Sequence, residues 1–405
     1  MTHREAMLAA IAGRPSDRLP WAPRLDLWYK ANRLAGTLPA RFRKATLPEM
    51  VDELGWARHA IVPDFRDLSG GGDDADRALG LYNLACMPFR VVLEGVERRV
   101  EARGERTFVE YRTPAGTIRT VTLYDESMRR AGISISHVEE RAFRSPEDYP
   151  ALGWIFEHAR VEENFAGYDR FRGEVGGCGL AAAFVSLAAS PMHLIQRELM
   201  PFETFCFELA DHPAELDELA RRIGRLWAQM LAAAARSSAE LVFLGANYDA
   251  TVTYPPFFEE HILPSLRDYA AALHGLGKLL LTHTDGENRG LLGHYLAAGF
   301  DVADSVCPAP MTSLGFREVR EAFAGRITIM GGIPSVTLLP DSMNDRDFSA
   351  YLDGFLEAAG AGDRLILGIS DTTPPGADFG RLLEIARRAE AFGPVRPLAA
   401  DGGRR

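Results

Sequence analysis

Eight short β-branched or Leu-rich runs recur along the chain, each divided from the next by a longer amphipathic stretch: 19–27, 59–65, 172–185, 240–249, 278–285, 301–306, 326–334 and 364–370. Strands that alternate with helices pair in parallel, because a parallel neighbour can be reached only through a crossover. Eight such units close a (β/α)8 TIM barrel, whose strands direct their C-terminal ends to one common face. The 405 residues suit that barrel as one α/β domain over 1–398, with a tail at 399–405 expected to be disordered.

The intervening helices carry the expected patterns. In 212–238, Leu216, Leu219, Ile223, Leu226, Trp227 and Met230 form one stripe behind Pro213, which a first helical turn tolerates. The 255–277 segment reads as a helix interrupted near Pro264 and closed at Gly275. Residues 89–128 instead alternate apolar and polar, with turn chemistry at "ARGER" and "TPAG". That pattern predicts a small antiparallel β insertion, about 89–145, between the second and third barrel strands. Just before it, 68–80 has the Gly and Asp content of a solvated linker or a lid.

Composition narrows the function. The formal net charge of −11, with no long Lys/Arg-rich stretch, argues against nucleic-acid binding. The sequence shows neither a signal-peptide pattern nor a long uncharged apolar run, so no membrane partner and a cytoplasmic location are expected. Cys86, Cys178, Cys206 and Cys307 lie far apart and read as reduced, buried thiols.

Polar residues collect where the strands end. The first run offers Arg24 and Asp26, the second Asp64, Arg66 and Asp67, and the third a glycine-rich turn around Cys178. The fourth is followed by Asn247, Tyr248, Asp249, Tyr254, Glu259, Glu260 and His261, and the fifth runs out through His283, Asp285 and Glu287. The sixth supplies Asp304 and Cys307, and the eighth Ser370, Asp371 and Thr372. Strand alternation puts His283 and Asp285 on one side, about 7 Å apart between Cα atoms. Such a pair serves either as ligands of a divalent ion or as a base and its orienter. The competing structural reading makes Thr284 or Asp285 a helix N-cap and His283 a hydrogen-bonded core residue.

The order of these motifs resembles the uroporphyrinogen decarboxylase-like superfamily, a set of (β/α)8 barrels. The resemblance runs from "RLPWAPRLDLWY" (18–29) through "YPPFFEEHILPSL" (254–266), "HGLGKLLLTHTDG" (274–286), "GFDVADSVCPAP" (299–310) and "ITIMGGIPS" (327–335) to "ILGISDTTPPGADFGRLLEIA" (366–386). "YRTPAGTIR" followed by "RSPEDYPAL" is similar to methyltransferase and O-demethylase members.

Two chemistries follow from the resemblance. Uroporphyrinogen decarboxylase proper needs no cofactor and holds its substrate with paired arginines and an aspartate. Here Arg24 stands at the first arginine, Trp28 replaces the second, and Asp64 is the nearest match to the aspartate, which argues against a tetra-acidic porphyrinogen. The other branch moves methyl groups to or from a corrinoid protein or a thiol, commonly with zinc. Its thiol-activating members carry His-x-Cys after strand five and a Cys after strand eight. This chain keeps His283, has Asp285 in place of the Cys, and offers Ser370 or Asp371 in place of the second thiolate. O-demethylase-like members imply an oxygen-rich zinc site, for which Asp249, Glu259 or Glu260 with His283 are candidates.

The leading expectation is therefore demethylation of a small methoxylated or methylated substrate, with transfer to a partner corrinoid protein. His283, Asp249 and Asp285 would be catalytic, with zinc on His283, Asp249, Glu259 or Glu260. Arg24, Asp64, Tyr248, Tyr254 and Asp371 would line the substrate site. The alternatives are a cofactor-free decarboxylase and a non-catalytic corrinoid- or tetrapyrrole-binding barrel. A homodimer is compatible with such a barrel, and no feature of the sequence locates its interface.

Overall fold

The computed structural model describes residues 1–68, 70 and 72–396, so the tail at 399–405 lies outside the described residues. Seven parallel strands form one curled sheet in chain order: Arg58–Ala60, Gly179–Ser186, Leu241–Ala246, Leu279–His283, Val302–Val306, Thr328–Pro334 and Leu365–Ser370. Most are buried along their whole length, as strands covered on both faces must be.

The expected eighth strand, at 19–27, is reduced to a single parallel bridge between Trp21 and Leu367. Ala22 N–H donates to the Leu367 carbonyl at 2.9 Å, Leu367 N–H to Pro20 at 2.8 Å, and Ala57 N–H to Trp21 at 3.0 Å. Pro20–Ala22 thus touches both edges of the sheet without forming a strand. Pro20 and Pro23 have no N–H to give a ladder, and the helix Asp26–Ala35 begins directly afterwards. The closed eight-stranded barrel expected from sequence is in fact a seven-stranded open sheet.

Two more strands are shorter than expected. The second ends at Ala60, ahead of Pro63. In the third, 172–185 divides into the end of the helix Phe165–Val175, a 3-10 turn at Gly176–Cys178 and then the strand. Gly179 begins that strand because a Cβ there would strike the Arg58 carbonyl of the neighbouring strand.

The helix Pro213–Arg236 buries the whole expected stripe, from Leu216 to Met230. Each large apolar side chain buried in this way contributes roughly 1.5–3 kcal/mol relative to exposure. The interruption expected near Pro264 is a π-turn, Phe258–Ile262, inside a helical stretch that runs from Pro255 to His274. Widening the turn accommodates the proline ring and its missing N–H.

The insertion is an antiparallel sheet of Glu97–Arg103, Arg106–Thr113, Gly116–Leu123 and His137–Glu140. Gly104, at φ +62°, makes its first turn. A separate pair, Phe89–Leu93 with Ala159–Glu163, carries the β-rich region past residue 145. Ser69 and Gly71 of the 68–80 segment lie outside the described residues; from Asp73 onward the segment is tied down by ion pairs. Asp73 meets Arg90, Asp74 meets Arg66, Asp76 meets Arg98, and Arg77 meets Glu198. Among the described residues, no helix is long and apolar enough to cross a membrane. All four cysteines are free, but only Cys86 and Cys307 are buried; Cys178 is half-buried and Cys206 exposed.

Candidate metal centre

The C-terminal ends of the Leu279–His283, Val302–Val306 and Leu365–Ser370 strands bring four charged side chains together. His283 is the last residue of its strand, and Asp285 follows it by two. Asp304 projects from the next strand, and Asp371 follows Ser370. One donor atom from each of His283, Asp285 and Asp371 lies within 4.8 Å of the others.

Hydrogen bonds fix their orientation. His283 Nδ1 is 2.6 Å from Asp304 Oδ2, and its Nε2 is 3.3 Å from Asp371 Oδ1. An ionised aspartate only accepts, so Nδ1 carries the proton shared with Asp304. The lone pair of the neutral ring then sits on Nε2, facing Asp371. A carboxylate behind a histidine in this way is the usual support of a metal-binding imidazole. Arg24 Nη1 donates to Asp371 Oδ1 at 2.7 Å and its Nε to Asp26 Oδ1 at 3.1 Å. His59 Nε2 stands 3.9 Å from the second oxygen of Asp304.

The electrostatics follow from burial against pairing. Burial, the largest influence on His283, opposes its charge, yet Asp371 and Asp304 outweigh it and raise its pKa. Burial pushes Asp304 up, and the hydrogen bond from His283 together with the nearby His59 more than reverses that, holding it well below the carboxylate range. Asp371 is likewise lowered, with Arg24 overcoming burial, whereas burial prevails at Asp285 and raises it. Around one arginine and the two imidazoles of His283 and His59 stand Asp26, Asp285, Asp304 and Asp371, an excess of negative charge suited to a divalent cation. The donors are one imidazole nitrogen and two carboxylate oxygens, a set that zinc and comparable ions accept. The residues present therefore fit a metal ion.

The structure brings together His283, Asp285, Asp371 and Arg24 from the residues proposed on sequence, places Asp64 on the wall of an adjoining cavity, and puts the others elsewhere. Asp249 holds loops: its Oδ1 accepts from Thr251 N–H at 2.8 Å and its Oδ2 from Glu287 N–H at 3.1 Å. Glu259 and Glu260 lie exposed on the π-turn. Tyr248 is wholly buried, with its hydroxyl 2.6 Å from Thr282 Oγ1 and its ring against Phe258 and Tyr295. Tyr254 is exposed beside Phe257. Asp64 pairs with Lys30 at 2.6 Å. The helix-cap reading of 284–285 is not what forms: the next helix, Leu292–Ala298, has no side-chain cap, and Thr284 Oγ1 donates to the Asp304 carbonyl at 3.1 Å.

Sequence reasoning gave no role to Asp304 or His59. Asp304 is a polar residue inside a short buried strand, a pattern that points to a buried partner without saying which, and His59 lies in a half-buried one that gives a weaker signal. Beside the centre lies a cavity of about 640 Å³, lined by Arg24, Asp26, His59 and Asp64 and also by apolar residues such as Val51 and Phe171. Cys307 stays a neutral thiol, since burial together with Asp285 and Asp371 pushes its pKa up to about 12.

A parallel α/β sheet with buried titratable groups at its C-terminal edge, next to a cavity, is an arrangement consistent with catalytic activity. The family described as uroporphyrinogen decarboxylase (URO-D) matches residues 134–386, more than half of the chain, and the chain belongs to that family. A solved methyltransferase from Methanosarcina mazei is similar in fold, with a TM-score of 0.52 over 97% of this chain and 99% of that one. At 14% identity that likeness concerns the fold alone. Among curated proteins none matches the chain.

Proposed function

We propose that this URO-D family chain is a metal-dependent methyltransferase that takes a methyl group from a small methoxylated or methylated compound and passes it to a corrinoid protein. The observation that carries the reading is the convergence of His283, Asp285 and Asp371, with Asp304 behind the histidine. A divalent ion held by these three residues would supply Lewis acidity to the ether oxygen or amine nitrogen of the substrate. Asp304 holds the ring of His283 in one tautomer with Nε2 toward the site. Arg24, braced between Asp26 and Asp371, keeps Asp371 in place and offers positive charge to a substrate carboxylate at the cavity edge. Apolar residues of the cavity wall, Val51 and Phe171 among them, would contact the substrate body. The fold shared with a methyltransferase is consistent with this reading.

A second reading, decarboxylation without a cofactor, is favoured by one observation: Arg24 and Asp64 line the same cavity. The test is to incubate zinc-loaded protein with methoxyarenes or methylamines and cob(I)alamin and to follow methylcobalamin by absorbance. Methyl transfer that disappears with chelator supports the first reading. Release of CO₂ from carboxylated pyrroles by chelator-treated protein, abolished in Arg24→Ala, supports the second. Absence of both would favour a non-catalytic corrinoid- or tetrapyrrole-binding protein.

A further inference from the structure

Four non-glycine residues among those described have positive φ: Asn247 at 59°, Ser305 at 58°, Ala324 and Arg364. The first two each donate to one carboxylate of the metal cluster. Asn247 Nδ2 lies 3.4 Å from Asp285 Oδ2, and Ser305 Oγ lies 3.1 Å from Asp371 Oδ1. A left-handed backbone costs most residues with a Cβ roughly 1–2 kcal/mol, Asn less, so its presence at Ser305 above all calls for a local reason.

At Ser305 the reason is geometric. Consecutive residues of a regular strand point to opposite faces, yet Asp304 reaches His283 while its neighbour Ser305 reaches Asp371. The pairing with the Thr328–Pro334 strand shifts register between Asp304 and Val306. The kink at Ser305 is thus a bulge that lets two successive side chains serve one site, which is how bulges re-aim side chains beside functional centres.

Asn247 is built in from both ends. Its backbone N–H donates to the His283 carbonyl at 2.9 Å. Its Oδ1 faces Arg197 Nη2 at 3.4 Å, and Arg197 is itself anchored on the Ala246 carbonyl at 3.2 Å. Arginine can only donate and an ionised aspartate can only accept, which fixes the amide with its NH₂ toward Asp285.

We propose that Asn247 and Ser305 are positioning residues of the metal centre, each tethering one carboxylate, Asp285 or Asp371, and so fixing its orientation toward the ion. The proposal rests on the metal reading above and assigns these two residues a role beyond it. Glycine adopts the left-handed region freely, so Asn247→Gly and Ser305→Gly keep the backbone and delete the side-chain donor, together with the Asn247 contact to Arg197. Asn247→Asp keeps size and turn preference but cannot donate when ionised, which gives a second probe at the same position.

The experiment titrates the metal-free full-length protein with Co²⁺ and Zn²⁺ against a chromophoric chelator and records the Co²⁺ absorption bands. Wild type should bind, and each of the three variants should bind about 10–100-fold more weakly with altered Co²⁺ bands. Metal-free Asn247→Gly and Ser305→Gly should melt no lower than wild type. Affinities within about twofold of wild type and unchanged bands, with binding lost in His283→Ala, would overturn the positioning role while leaving the metal reading intact. No binding by wild type would overturn the metal reading and this proposal with it.

Discussion

Asp304 decides what His283 can do. Buried and ionised, it accepts the Nδ1–H hydrogen bond at 2.6 Å and leaves Nε2 for the site. Asp304→Asn keeps the shape but offers an amide that can present its donor to the ring. Zinc affinity should fall about 10–100-fold, measured by calorimetric titration, with little loss of secondary structure by circular dichroism. A second buried pair makes a separate prediction. Burial opposes the charge of Glu198, but Arg77 and Arg197 hold its carboxyl down to about 2, from 4.5. Its folded value is depressed, so its stabilisation is fully present above 4.5 and is lost as pH falls toward 2. Glu198→Gln should lose about 3–5 kcal/mol at neutral pH, because Arg77 is left buried without its partner. Urea denaturation at pH 7 and at pH 4 should show the gap to wild type narrowing in acid, and a constant gap would contradict it. At this scale the sequence showed which residue types gather at strand ends. It did not reveal that Asp304 pairs with His283, because that contact depends on the register between two strands: His283 sits opposite Asp304 in the ladder.

Elements were legible where the local pattern agreed with the packing. The strands from Leu241 to Ser370 fall within a few residues of the apolar runs, since each is a buried run bounded by helix patterns. The expectation failed at the N-terminal side, where prolines and glycines interrupt the ladder: Pro20 and Pro23 leave one bridge, and the glycines at 176–179 turn half of an expected strand into helix and turn. The expected metal carboxylates on the helix after Asp249 are absent from the cluster for a similar reason: the π-turn near Pro264 leaves Glu259 and Glu260 at the surface. The Leu241–Ala246 strand contains its own constraint. Gly245 has φ +90°, and a Cβ there would collide with the Tyr248 hydroxyl and come within 2.8 Å of Ala189 Cβ and 3.0 Å of Thr282 Oγ1. Gly245→Ala should therefore break the Tyr248–Thr282 hydrogen bond and cost more than about 2 kcal/mol, combining backbone strain with overpacking. Equilibrium unfolding checks this, and a neutral result would mean that the strand end relaxes freely.

For the whole molecule, the open sheet matters because its edges meet at the site. Pro20–Ala22, which lies between the two edges, leads directly to Arg24 and Asp26, and the Leu365–Ser370 edge strand leads to Asp371, so the Arg24–Asp371 ion pair fastens the unformed eighth strand to that edge. Alternation of strands and helices revealed the α/β architecture, and the motif order revealed the family. Neither showed which carboxylates converge, because Asp285 and Asp371 are separated by 86 positions in sequence and meet only when the sheet curls. The central claim is that His283, Asp285 and Asp371 hold a metal ion, and elemental analysis tests it most directly. Protein purified without chelator or affinity metal, wild type beside His283→Ala, should contain close to one equivalent of a divalent ion in the wild type and almost none in the variant. Wild type devoid of metal even after exposure to zinc, or equal metal in both proteins, would contradict the account.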